Sequence, residues 1–180
     1  LAPLKFYMSR NSTGENRDSA MLVRSVDHGE SWKLISKLPG VSIRAIFPPA
    51  ECGLTDEVLV FTENACVRVN KNNGEFRELP LPVDQIIAVE GGNGVKGNLI
   101  YLQAEFQLNA DNIHGGMFIS SDQGESWKQI NKGLLNNLAE GKVPAFRKGL
   151  AVCESQPEVA YISFKKKKKN HNGEIEYIYS

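Results

Sequence analysis

Short apolar runs recur along the chain at a steady beat: KFYMS at 5–9, VLVFT at 58–62, LIYLQ at 99–103 and VAYIS at 159–163. A second set precedes three of them: IRAIF at 43–47, QIIAV at 85–89 and GLAVC at 149–153. Runs this short, rich in β-branched or small apolar residues and bounded by Gly, Pro, Asn and Asp, predict β-strands. Several have apolar residues on both faces, as expected for sheets sandwiched between other sheets. Helical spacing is almost absent. NKGLLNNLAEGK at 131–142 carries too many glycines and asparagines to hold a helix and is expected to be a long loop.

Between the runs lies a repeated motif. LVRSVDHGESWK at 22–33 and MFISSDQGESWK at 117–128 share S-x-D-x-G-E-S-W, carried by Ser25, Asp27, Gly29, Ser31 and Trp32 and by Ser120, Asp122, Gly124, Ser126 and Trp127. Trp32 and Trp127 stand 95 residues apart, about twice the roughly 40 to 50 residues of a four-stranded propeller blade. A worn copy is therefore expected midway. VRVNKNNGEFREL at 67–79 supplies it, with Asn70 or Asn72 near the aspartate position, Gly74 as the glycine and Phe76 in place of Trp. The predicted fold is an all-β propeller of four-stranded antiparallel blades, in four units at 1–38, 39–82, 83–133 and an incomplete 134–180.

The motif has a physical rationale as a tight turn between antiparallel strands. Asp27 or Asp122 can accept unpaired backbone N–H groups, and Gly29 or Gly124 can take positive φ. Ser25 and Ser120 can add hydroxyl contacts, and Trp32 and Trp127 can pack between sheets. On these residues the chain resembles the Asp-box, or bacterial neuraminidase repeat, family of β-propellers, which includes sialidases, xyloglucan-active hydrolases, sortilin-like receptors and photosystem assembly factors. The resemblance implies that Asp27 and Asp122 are structural acids on the blade periphery and that ligands bind on a propeller face. It is specific for fold rather than activity.

Unit one starts at its second strand, and YIYS at the C-terminal end aligns with LVRS and MFIS, the residues that open the two boxes. A closed ring pairs its terminal strands within one blade, so the expectation is a piece of a larger propeller of six to eight blades. That would also account for an N-terminus, LAPLKFYMSR, without a signal peptide. The family points to a secreted, periplasmic or cell-surface protein.

Charge narrows the partners. Lys plus Arg and Asp plus Glu both number 21, for zero formal net charge, which removes the electrostatic case for a nucleic-acid partner. No apolar run reaches the roughly 18 to 20 residues of a membrane span. Cys52, Cys66 and Cys153 lack the close pairing of zinc ligands and are expected to be buried thiols. His28, His114 and His171 have no partner at ligand spacing, and D-x-G-x-S offers one carboxylate where a calcium loop needs several. No metal or cofactor is expected.

Strand alternation places the loops between second and third strands on the same face as the blade-to-blade connections, with the boxes opposite. Long polar loops on that face, at 10–19, 104–116 and 165–173, are where binding groups are expected. The ligand-face candidates are Glu105, Asp111 and His114, with Arg10 and Glu63 as neighbours. The run Lys165–Lys169 is expected to lie in a solvated loop, and Asn11-Ser12-Thr13 fits a glycosylation acceptor in a secreted eukaryotic protein. Glycosidase chemistry needs two carboxyl groups, or in sialidases a Tyr-Glu nucleophile and an arginine cluster. Glu63, Glu90, Glu105 and Asp111 are possible acids, and Arg10, Arg17, Arg44 and Arg147 possible clamps. The R-I-P signature of sialidase domains is missing. Two functions follow from the resemblance: a glycan-processing, sialidase-like domain acting on carbohydrate, or a non-catalytic binding or assembly propeller with a protein ligand.

Overall fold

A computed structural model describes residues 19–48, 56–94, 97–109, 112–134, 145–153, 156–169 and 175–178. Arg10, Arg17, Cys52, Asp111, His171 and the sequence Asn11–Thr13 lie outside them. The described residues are all-β, in four antiparallel sheets.

The first sheet pairs β1 (Ser19–Arg24) with β2 (Lys33–Pro39). The second runs in sequence order through β3 (Ile43–Phe47), β4 (Glu57–Thr62), β5 (Cys66–Asn70) and β6 (Phe76–Leu79). The third does the same with β7 (Ala88–Gly94), β8 (Gly97–Asn109), β9 (Asn112–Ser120) and β10 (Lys128–Gln129). The fourth comprises β11 (Ala145–Cys153), β12 (Gln156–Lys169) and β13 (Ile175–Ile178). Such meanders of up to four strands, stacked face to face, are compatible with a partial β-propeller.

The two-residue alternation of a strand assigns each apolar run to two cores at once. In β4, Val58 and Val60 face the first sheet and pack with Leu22 and Leu38, while Leu59 and Phe61 face the third. In β8, Ile100, Leu102 and Ala104 meet the second sheet, and Tyr101 turns to Leu150 and Ile162 of the fourth. Three apolar layers thus lie between four sheets, and the central strands are largely apolar because neither face meets water, with Thr62, Arg68 and Gln103 as buried polar residues among them. Phe61 sits edge-on to Phe47 at 5.9 Å and to Trp127 at 6.0 Å between ring centroids.

Three expectations change. The stretch 104–116 is not an open loop: β8 and β9 continue as a hairpin, with Gln107 opposite His114 and Asn109 opposite Asn112. The lysine run is not a loop either, since Lys166 to Lys169 pair with Ile178 to Ile175 in β13. Backbone pairing does not depend on side-chain polarity, and a paired two-stranded extension can carry charge where a core strand cannot. Trp32, expected between sheets, is 37% exposed, and Phe76 is 42% exposed. Trp127 is half-buried and packs against the cluster between the second and third sheets. Cys66 is buried, and desolvation pushes its thiol up to about 12. Cys153 is half-buried.

Candidate functional site

Both boxes form the same self-bonded turn. The Ser25 hydroxyl donates to Asp27 Oδ1 (2.7 Å) and accepts the Gly29 N–H (2.8 Å). The same Oδ1 accepts the Ser31 N–H (3.0 Å), and Oδ2 takes the Ser31 hydroxyl. In the second copy Ser120 donates to Asp122 (2.8 Å) and accepts from Gly124 N (2.9 Å), while Asp122 accepts from Ser126 N (2.9 Å) and Ser126 Oγ (2.5 Å). The left-handed residues are two in each turn, His28 and Gly29 at φ 60° and 94° and Gln123 and Gly124 at 62° and 87°. The worn copy uses asparagine: Asn70 Oδ1 accepts the N–H groups of Asn72 and Asn73, with Gly74 at φ 78°.

Each described inter-sheet box also joins its blade to the preceding one. The Gly74 carbonyl accepts the Ser36 hydroxyl of β2 at 2.8 Å. A Cβ on Gly124 would stand 3.3 Å from Cys66 Sγ and Leu79 Cδ1 of the second sheet. Beside it, Glu125 pairs with Arg68 (3.0 Å) and Arg77 (2.6 Å), and the Trp127 indole N–H donates to the Pro80 carbonyl (3.1 Å). Arg68 is buried and also reaches Glu57 at 3.9 Å. This interlock gives the E-S-W half of the motif its contacts.

Glu63, placed at the β4–β5 turn, is committed to backbone. Its carboxylate accepts the N–H groups of Val41 (2.5 Å) and Ser42 (2.8 Å) and the Ser42 hydroxyl (3.0 Å). Desolvation raises its pKa, but these donors outweigh it and the net shift is downward. The Ile86 N–H donates to the Glu63 carbonyl (2.6 Å), so this turn lies beside both connections that enter and leave the second sheet. Glu90, on β7 opposite Tyr101, has its pKa raised by desolvation.

Two predicted ligand-face residues do meet. Glu105 and His114 line an open cleft of about 620 Å³ together with Ala104, Gly115 and the β6–β7 connection, Leu81, Pro82, Val83, Asp84 and Gln85. Glu105 and Phe106 form an irregularity in the β8–β9 ladder between Ala104 and Gln107. Phe106 is buried and anchors that bulge in the core. Opposite, Gly115 and Gly116 take φ 81° and 94°. The Gly115 carbonyl accepts from Gln129 Nε2 (2.9 Å) and Asn131 Nδ2 (3.0 Å), while Asn131 Oδ1 accepts the Met117 N–H (2.8 Å). The cleft wall is thus held by side chains from behind.

Asp84 was missed at the sequence level, where LPVDQ offers only a lone acid in a connector. Gln129 and Asn131 were missed too. Among the described residues no group of three His, Cys, Asp or Glu side chains has metal-binding geometry. No helix among them is long and apolar enough to cross a membrane.

The acid dependence of folding follows from the turns. The Asp27 carboxyl is held well below the usual range by the hydroxyl and amide of Ser31 and by Ser25. At Asp122 desolvation acts upward, but Ser126 and Ser120 bring the net shift down. A depressed folded-state pKa gives stability that is present above the unfolded carboxylate range, about pH 4, and is lost as pH falls through the folded value. The melting temperature is expected to be flat from about pH 5 upward and to fall below about pH 4. The double variant Asp27→Asn/Asp122→Asn is expected to melt lower at neutral pH with a shallower acid slope. An unchanged slope in thermal melts across pH would remove these turns as its source.

No family model matches the sequence. A protein of Emericella nidulans named Vacuolar protein sorting/targeting protein 10 is 28% identical over a 134-residue alignment covering 69% of this chain. The chain spans about 9% of that protein's length.

Proposed function

We propose that this chain is part of a non-catalytic, sortilin-like propeller of the Asp-box type that binds protein ligands in the secretory pathway or at the cell surface. The observation that carries the reading is the cleft where the β6–β7 connection meets the base of the β8–β9 hairpin, a concave, partly apolar site on a buttressed wall. The similarity to a vacuolar sorting and targeting protein supports the same choice. The self-bonded turns support the Asp-box assignment, with Ser25, Asp27, Gly29, Trp32, Ser120, Asp122, Gly124 and Trp127 serving the fold. A carboxylate that accepts N–H and hydroxyl groups, as Asp27 and Asp122 do within their own turns and Glu63 does from Val41 and Ser42, has its lone pairs occupied and is a poor base or nucleophile.

Glycan processing would need a pair of acids acting on one bond, and Glu105 with Asp84 is the pair to test. The intact protein, assayed with fluorogenic sialosides and glucosides and screened against a displayed peptide library, is expected to show no turnover and to enrich peptides with saturable binding. Turnover that disappears in Glu105→Gln would replace the binding reading with hydrolysis.

A further inference from the structure

We propose that the cleft receives a basic side chain, Arg or Lys, from an extended peptide with apolar neighbours; this rests on the protein-binding reading above and names the ligand chemistry. Leu81, Pro82 and Val83 supply an apolar wall, while Asp84 and Glu105 bring two carboxylates to the same cleft. That combination matches a long cationic side chain, whose methylene stem packs on apolar surface while its head group takes charge-assisted hydrogen bonds.

Charge distribution strengthens the match. The chain has zero formal net charge, and many of its acids have fixed partners. Asp56 pairs with Lys71, Glu57 and Glu125 pair with Arg68, and Glu63 holds backbone N–H groups. Neither Asp84 nor Glu105 pairs with a Lys or Arg among the described residues, and both are exposed, so their charge is available to a partner. The remaining ionisable group of the cleft is His114, whose imidazole can accept or donate one further hydrogen bond.

The position is also preorganised. Glu105 stands in a bulge whose next residue, Phe106, is sunk in the core, and the facing Gly115 carbonyl is fixed by Gln129 and Asn131. A carboxylate on a rigid bulge loses less freedom on binding than one on a loose loop.

The test uses the intact protein and a dye-labelled, end-blocked hexapeptide with a central Leu-Arg-Leu, compared with the same peptide carrying citrulline, which keeps the shape and removes the charge. The Arg peptide is expected to bind at least tenfold more tightly at low salt. Asp84→Asn and Glu105→Gln should each weaken it severalfold without changing the citrulline peptide, and both side chains are exposed, so melting temperatures should hold. Charge reversal by Glu105→Lys leaves Asp84 facing a lysine in the same cleft and should abolish the preference for the Arg peptide. Equal binding of the Arg and citrulline peptides, or an Asp84→Asn/Glu105→Gln protein with unchanged affinity, overturns the proposal. Library peptides that still bind that double variant would preserve the protein-binding reading while removing this site from it.

Discussion

Phe61→Ala is expected to destabilise the protein by about 3 to 5 kcal/mol, the usual cost of emptying a large aromatic site in a packed core. Phe61 is fully buried, and its ring lies edge-on to Phe47 of its own sheet and to Trp127 from the third. It is therefore a contact within one blade and between two. Collapse into the vacated space is hindered because Trp127 is tethered by its indole N–H to the Pro80 carbonyl. A cavity that cannot close keeps its full cost. Phe76→Ala is the matched control: the same side chain, 42% exposed in the worn box, is expected to cost about 1 kcal/mol or less. Denaturant midpoints of the two variants would decide the matter, and a Phe61→Ala protein as stable as Phe76→Ala would show that this layer is not the core.

The core was legible because its signal is local. Runs such as VLVFT alternate between two apolar faces, and only a strand between two sheets can bury both. The box was legible for a related reason: Ser, Asp, Gly and Ser satisfy one another within seven residues of chain, so their spacing alone encodes the turn. The hairpin at 104–116 and the strand through the lysines were not legible, since positions such as Gln107, Asn109 and Lys166 to Lys169 carry no apolar alternation and their order comes from backbone pairing with the next strand along the chain. The site was half legible. Loop chemistry pointed to Glu105 and His114, but Asp84 joins the same cleft lining through the path of the β6–β7 connection, which no short motif records. Glu63 looked available because nothing in its neighbours announces that Val41 and Ser42, some twenty residues earlier, present their N–H groups to it.

The same distinction between local and distant constraint gives the second large effect, at Gly115. Gly115→Ala is expected to cost about 2 to 4 kcal/mol, combining left-handed backbone strain with a clash. Gly115 has φ 81°, and an added Cβ would overlap the Glu105 carbonyl oxygen and approach Phe106 Cα at 3.4 Å. Both neighbours are backbone, so relief requires undoing the bulge that presents Glu105. The Gly115 carbonyl cannot swing away without losing its hydrogen bonds from Gln129 and Asn131. Gly133→Ala separates the two causes: its φ is 88°, yet nothing lies within 4 Å of the added Cβ, leaving only conformational strain of about 1 kcal/mol. If the clash dominates, Gly115→Ala will melt well below Gly133→Ala and will weaken the Arg-containing peptide in the molecules that remain folded, because Glu105 moves with its bulge. Equal melting temperatures for the two variants would mean that the cleft wall yields, and that Glu105 is not held in place from behind.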